Sequence, residues 1–148
     1  MHQILTNIHI WANMLFSLIA ILLLFYSIRG KFKQLPYSKI NIRLEKSYII
    51  LLYFGLILGI ILYFFFHQSY NIREISIQEL QKRQTSQFWA IEHFSVMVFA
   101  LLIAQIGKIF TSKALSDKDK YKYALFYYGT ATLIIFISMS FYLYYKFR

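Results

Sequence analysis

The stretch FWAIEHFSVMVFALLIAQIGKIF, residues 88–110, decides the fold. Its apolar run is long enough to cross about 30 Å of hydrocarbon at 1.5 Å per residue. Near its start stand an acid and an imidazole, Glu92 and His93. Ionisable groups are costly inside such a segment, so they call for a partner or a task. From His93 a stripe of 3.6-residue period descends through Met97, Ala100, Ala104 and Gly107. Small residues on one helical face let another helix approach closely, or leave room for something flat.

The rest of the chain repeats this apolar character. Of its 148 residues 59% are hydrophobic, and the mean hydropathy is +0.51. A soluble core of this size has no room for so much apolar surface. The composition therefore predicts one all-α, integral-membrane domain over residues 1–148. Its four transmembrane helices, at about 4–28, 46–66, 88–110 and 117–145, form an up-down bundle. The first apolar run lacks a basic lead and a small-residue cleavage site, which reads as a retained membrane helix. Cysteine is absent, excluding disulfides and thiolate chemistry. No Gly-rich phosphate loop and no HExxH arrangement occurs. The net charge of +10 gathers at helix ends and in loops, which points to lipid headgroups and not to nucleic acid.

Each segment carries further signals. His9, Asn13, Ser17 and Ala20 share one face of helix 1, where Asn13 and Ser17 read as hydrogen-bonding packing residues between helices. Gly30 reads as the end of that helix, and residues 29–46 as a basic loop around the single proline, Pro36. Helix 2 holds Gly55 and Gly59 at GxxxG spacing, a packing face. Between helices 2 and 3, Ile72, Ile75, Ile77 and Leu80 outline a short amphipathic helix at the interface or in solvent. Ser116 and Asp119 fit a capping box, which starts helix 4 near Asp117.

Eleven lysines and arginines fall in the loops between helices 1 and 2 and between helices 3 and 4, against five in the other loop and the C-terminal tail. The positive-inside rule then puts both termini outside, in a multi-pass protein of the bacterial inner membrane. Trp11, Trp89 and the Tyr144–Tyr145 pair fall near the outer interface, as an aromatic belt does.

In this orientation His2, His9, His67 and His93 all lie toward the outer side. His9 and His93 sit about 7 Å inside two helices that both begin there. Equal depth on two helices suits a pair of axial imidazoles to one haem b held in an apolar slot. Glu92 and Asn13 are candidates for the hydrogen bonds that orient those rings. A competing reading gathers His9, His67 and His93 around a metal ion. A third leaves the histidines as ordinary interfacial residues.

The segment Phe88–His93, then Ile106-Gly107-Lys108 and the run Ser116–Lys122, resembles a group of small four-helix membrane proteins of Bacteroidota identified as cytochrome b-like. The likeness extends to His9 early in helix 1 and to Leu58–Phe64 in helix 2, and covers most of the chain. Members of the group tend to carry two more histidines, at positions matching Tyr53 and Tyr121 here, both on the cytoplasmic side. The resemblance implies an outer haem pair retained and an inner pair lost. The expected activity is electron transfer, with a quinone or a periplasmic redox protein as partner, and not stand-alone catalysis. The alternative is a haem-free membrane subunit or assembly factor working with other membrane subunits.

Overall fold

The computed structural model describes the backbone of residues 2–68 and 77–147 and the side chains of residues 3–64 and 91–141. The chain forms α1 (His2–Lys33), α2 (Lys39–Gln68), α3 (Ile77–Lys113) and α4 (Asp117–Phe147). Each contains a segment long and apolar enough to cross a membrane: Gln3–Lys33, Lys39–Phe64, Ile91–Lys113 and Asp117–Phe141.

Local chemistry sets the helix ends. Ser116 caps α4: its hydroxyl accepts from the Asp119 amide at 3.1 Å and donates to the Asp119 carboxylate at 2.7 Å. Ser38 does the same for α2, accepting from the Asn41 amide at 3.4 Å and donating to Asn41 Oδ1 at 2.7 Å. Gly30 does not end α1. The helix runs three residues further, and closes where Gln34 turns to φ 51° and the Leu35 amide reaches back to the Gly30 carbonyl at 3.0 Å. The expected basic loop over 29–46 thus shrinks to residues 34–38. Its positive charges sit on helix ends, where the lysine stems do not oppose helix formation. Residues 77–87 are the opening turns of α3 and not a separate interfacial helix, and residues 69–76 lie outside the described set.

α1 packs on α2, α2 on α3, α3 on α4, and α4 back on α1. Close approaches fix the direction of every pair. Gly59 faces His9 and Gly55 faces Asn13, while Gly30 faces Tyr121 and Gly129 faces Leu24. Thr111 meets Glu45, Gln105 meets Tyr53, and Ser138 meets His93. Residue numbers rise along one helix as they fall along its neighbour, so all four edges are antiparallel. α1 and α3 stand on one diagonal of the ring, α2 and α4 on the other.

Alanines 20, 100, 104, 124 and 131 are fully buried and let the helices close on the axis. The stripe below His93 faces inward as the periodicity predicts. Outside, the bundle is as apolar as within. Ile4, Trp11, Leu18, Phe25, Ile50, Phe99, Phe126 and Leu133 are among the exposed residues, and 17–33% of each span is buried. A water-facing helix carries a polar outer face along its length, whereas here the exposed charges gather at the span ends.

Tyr48 crosses the α2–α4 diagonal. Its hydroxyl bonds Thr132 Oγ1 at 2.9 Å and donates to the Tyr128 carbonyl at 3.4 Å, all in the buried core. Tyr48→Phe is expected to cost about 1 kcal/mol, because Thr132 retains its own helix carbonyls as acceptors. Detergent unfolding of the two proteins measures the difference. Ser17, expected to bond between helices, instead donates to the Asn13 carbonyl of its own helix at 2.9 Å.

Candidate functional site

At one end of the bundle the two helices of the α1–α3 diagonal each carry a histidine. His9 rises from α1 and His93 from α3, both half-buried and within electrostatic reach of one another. Their helices make no close backbone approach among the described residues. His93 Nδ1 shares a hydrogen bond with Ser138 Oγ of α4 at 3.4 Å. That contact gives the ring a polar neighbour on α4. His9 Nδ1 is buried and has no hydrogen-bond partner. A buried ring nitrogen left this way costs free energy, which marks the position as incompletely satisfied by the protein alone.

α2 supplies the floor beside His9. A Cβ added at Gly59 would lie 3.9 Å from His9 Cε1, and one at Gly55 would lie 3.7 Å from Asn13 Oδ1. The GxxxG face is therefore what α1 lays its polar stripe against. Asn13 is half-buried one turn below His9. Glu92 is exposed on α3, about 100° around the helix from the half-buried His93. Ser138, which sequence reasoning missed, is the side chain beside the His93 imidazole.

His67 belongs to the last turns of α2, and its side chain, like that of His2, lies outside the described residues. Among the described residues no three His, Asp or Glu side chains gather as a metal-binding group.

The two tyrosines at the positions matched to further histidines do not face one another. Tyr53 is exposed and accepts a hydrogen bond from Gln105 Nε2 at 2.9 Å. Tyr121 is buried at the other end, donating to the Pro36 carbonyl at 3.0 Å with its ring against Gly30 and 4.8 Å from that of Tyr37. The antiparallel register separates their levels by about 22 Å at 1.5 Å per residue. Tyr121 acts as a clamp, pinning the α1–α2 connection onto the start of α4. Toward that end of the bundle lies Glu45, 3% exposed, within the stretch 29–46 that reads as a loop in the sequence.

Compared with known protein families, curated proteins and solved structures, the chain matches none of them.

Proposed function

We propose that the chain is a multi-pass protein of the bacterial inner membrane that holds one haem b between His9 and His93 and serves in electron transfer. The observation that carries this reading is the His9–His93 pair. Half-buried imidazoles on the diagonally opposed helices α1 and α3 lie within electrostatic reach of one another, with His9 Nδ1 buried and unpartnered. This donor set fits axial ligation, which takes two neutral imidazoles from opposite sides. Ser138 would hold the His93 ring, and Gly55 and Gly59 would give α1 its clearance on the α2 side. When bound, the group supplies one-electron redox chemistry, and the protein supplies ligands, orientation and an apolar surround.

The distribution of lysine and arginine supports an orientation with both termini outside and the connections 34–38 and 114–116 on the cytoplasmic face. The histidine pair then lies toward the outer face, within reach of a quinone or a periplasmic redox partner. With Tyr53 and Tyr121 engaged far apart, the chain reads as a one-haem protein without an inner relay.

A second reading, a haem-free membrane subunit or assembly factor, draws on the His93–Ser138 bond, which also suits a histidine that only packs. Colour separates the two. The detergent-purified protein from haem-replete cells is expected to give the reduced-minus-oxidised spectrum of a low-spin b-type centre. A colourless preparation overturns the haem reading and leaves the subunit reading standing.

A further inference from the structure

Glu45 is the one acidic residue buried in the bundle among the described residues, and the redox reading gives it no task. Asn41 stands one turn away on the same face of α2, and the α1–α2 register places Ser27 of α1 at the level of Asn41. The Glu45 carboxylate accepts a hydrogen bond at Oε1 from the Tyr37 hydroxyl. At Oε2 it meets Thr111 Oγ1 at 3.4 Å. That same hydroxyl lies 3.1 Å from the Lys108 carbonyl, and its one proton serves either acceptor but not both. Among the described residues no cation reaches ion-pair distance of Glu45. Lys108 of α3 attracts it from further off. The titratable groups facing it are Tyr37 of the connection, Lys108 of α3 and Tyr128 of α4, with Tyr121 behind Tyr37, while α1 presents Ser27 at the level of Asn41. Tyr37 lies outside the spans. Burial first, and then the Glu45 charge and hydrogen bond, hold its hydroxyl far above the usual tyrosine range, so it remains a donor.

A buried carboxylate with one full donor and a shared one is under-compensated as an anion. It has an equally good arrangement as an acid. The Thr111 proton turns to the Lys108 carbonyl, and a proton on Oε2 donates to Thr111 Oγ1. Two further groups mark a polar route from Glu45 to the connection end. Ser27 Oγ and Asn41 Nδ2 are both buried without a hydrogen-bond partner, and water is the partner that such atoms call for. In the other direction the axis is closed. Leu23, Tyr48, Leu52 and Phe16 are buried there, with ring centroids 5.1 Å apart for Tyr48–Tyr128 and 4.9 Å for Phe16–Tyr48. The histidine level lies about 21 Å beyond Glu45.

We propose that Glu45 is an exchangeable proton-binding site, loaded from the face formed by the connections 34–38 and 114–116. A hydronium ion at that face gives up one O–H bond and becomes water, the proton ends on Glu45 Oε2, and Thr111 turns its hydroxyl from the carboxylate to the Lys108 carbonyl. Release reverses each step. This site stands apart from the haem reading and needs no redox group.

Infrared difference spectra of the full chain in lipid nanodiscs, between alkaline and acidic buffer, test it. Acidification is expected to raise a carboxylic-acid C=O band that shifts in D₂O and is missing from Glu45→Gln. Thr111→Val, which keeps the shape and deletes the acceptor, is expected to move the same band, as is Tyr37→Phe. The five other acids are present in every sample and cancel in the comparison with Glu45→Gln. A Glu45 band that is present, or missing, at every pH overturns exchange. Should Glu45→Gln fail to fold, a band that neither Thr111→Val nor Tyr37→Phe moves overturns the assignment.

Discussion

Gly107→Ala is expected to destabilise the bundle by about 2 kcal/mol, although alanine is the better helix former. A Cβ at this position would lie 2.5 Å from Tyr127 Cβ and 3.2 Å from its Cγ. The Tyr127 Cβ is fixed by the α4 backbone, so no side-chain rotation removes the 2.5 Å overlap. α3 and α4 must separate by roughly 1 Å to restore ordinary contact. That separation also strains Tyr127 against Phe110, whose rings stack with centroids 5.3 Å apart at 19°. Overpacking of this kind costs about 1–3 kcal/mol or more, and helix propensity returns up to about 1. Gly55 and Gly59 provide the contrast. Their added Cβ atoms would find partners at 3.7 and 3.9 Å, which is ordinary contact. Gly55→Ala and Gly59→Ala should therefore unfold with, or slightly above, the parent. Detergent unfolding midpoints for the three variants check the order. If Gly107→Ala behaves like Gly55→Ala, α3 and α4 do not approach as closely as described.

The same contrast shows what a sequence can reveal. Gly107 and Gly55 look alike in the chain, since each lies on an apolar helix at packing spacing. Their difference arises from the partner helix, and the register between helices is not a local property. What is local was legible. Hydropathy located four apolar helices, the 3.6-residue period placed Met97, Ala100 and Ala104 inward, and the Ser116–Asp119 box marked the start of α4. The box at Ser38 and Asn41 has the same chemistry, but Lys39, Arg43 and Lys46 around it read as loop. Recognising it would have put Glu45 inside α2, one turn past Asn41, and exposed the buried carboxylate. Ser138 illustrates the opposite limit: it lies 45 residues from His93 in the chain, and only the α3–α4 packing brings the two side chains together. Whether a histidine packs or ligates leaves no trace in its spacing, because both roles put the ring on an inward face.

His9→Ala and His93→Ala are expected to have the largest effect on the proposed redox centre. Each removes one of two axial donors, so each should convert a low-spin spectrum to a high-spin one or abolish it, and the double variant should purify colourless. The two positions are not equivalent. His93 has a polar neighbour in Ser138, whereas His9 Nδ1 has no hydrogen-bond partner. Ser138→Ala should therefore weaken retention by about 10-fold, the usual effect of deleting a group that orients a ligand. Glu92→Gln should leave the spectrum unchanged, because Glu92 is exposed and turned away from the pair. Haem content per protein and the spin state, read for all four single variants, give a ranking: either histidine, then Ser138, then Glu92. A low-spin spectrum that survives His9→Ala would move the second ligand off α1. A Glu92 effect larger than that of Ser138 would place the centre on the outer face of α3 and not on the bundle axis.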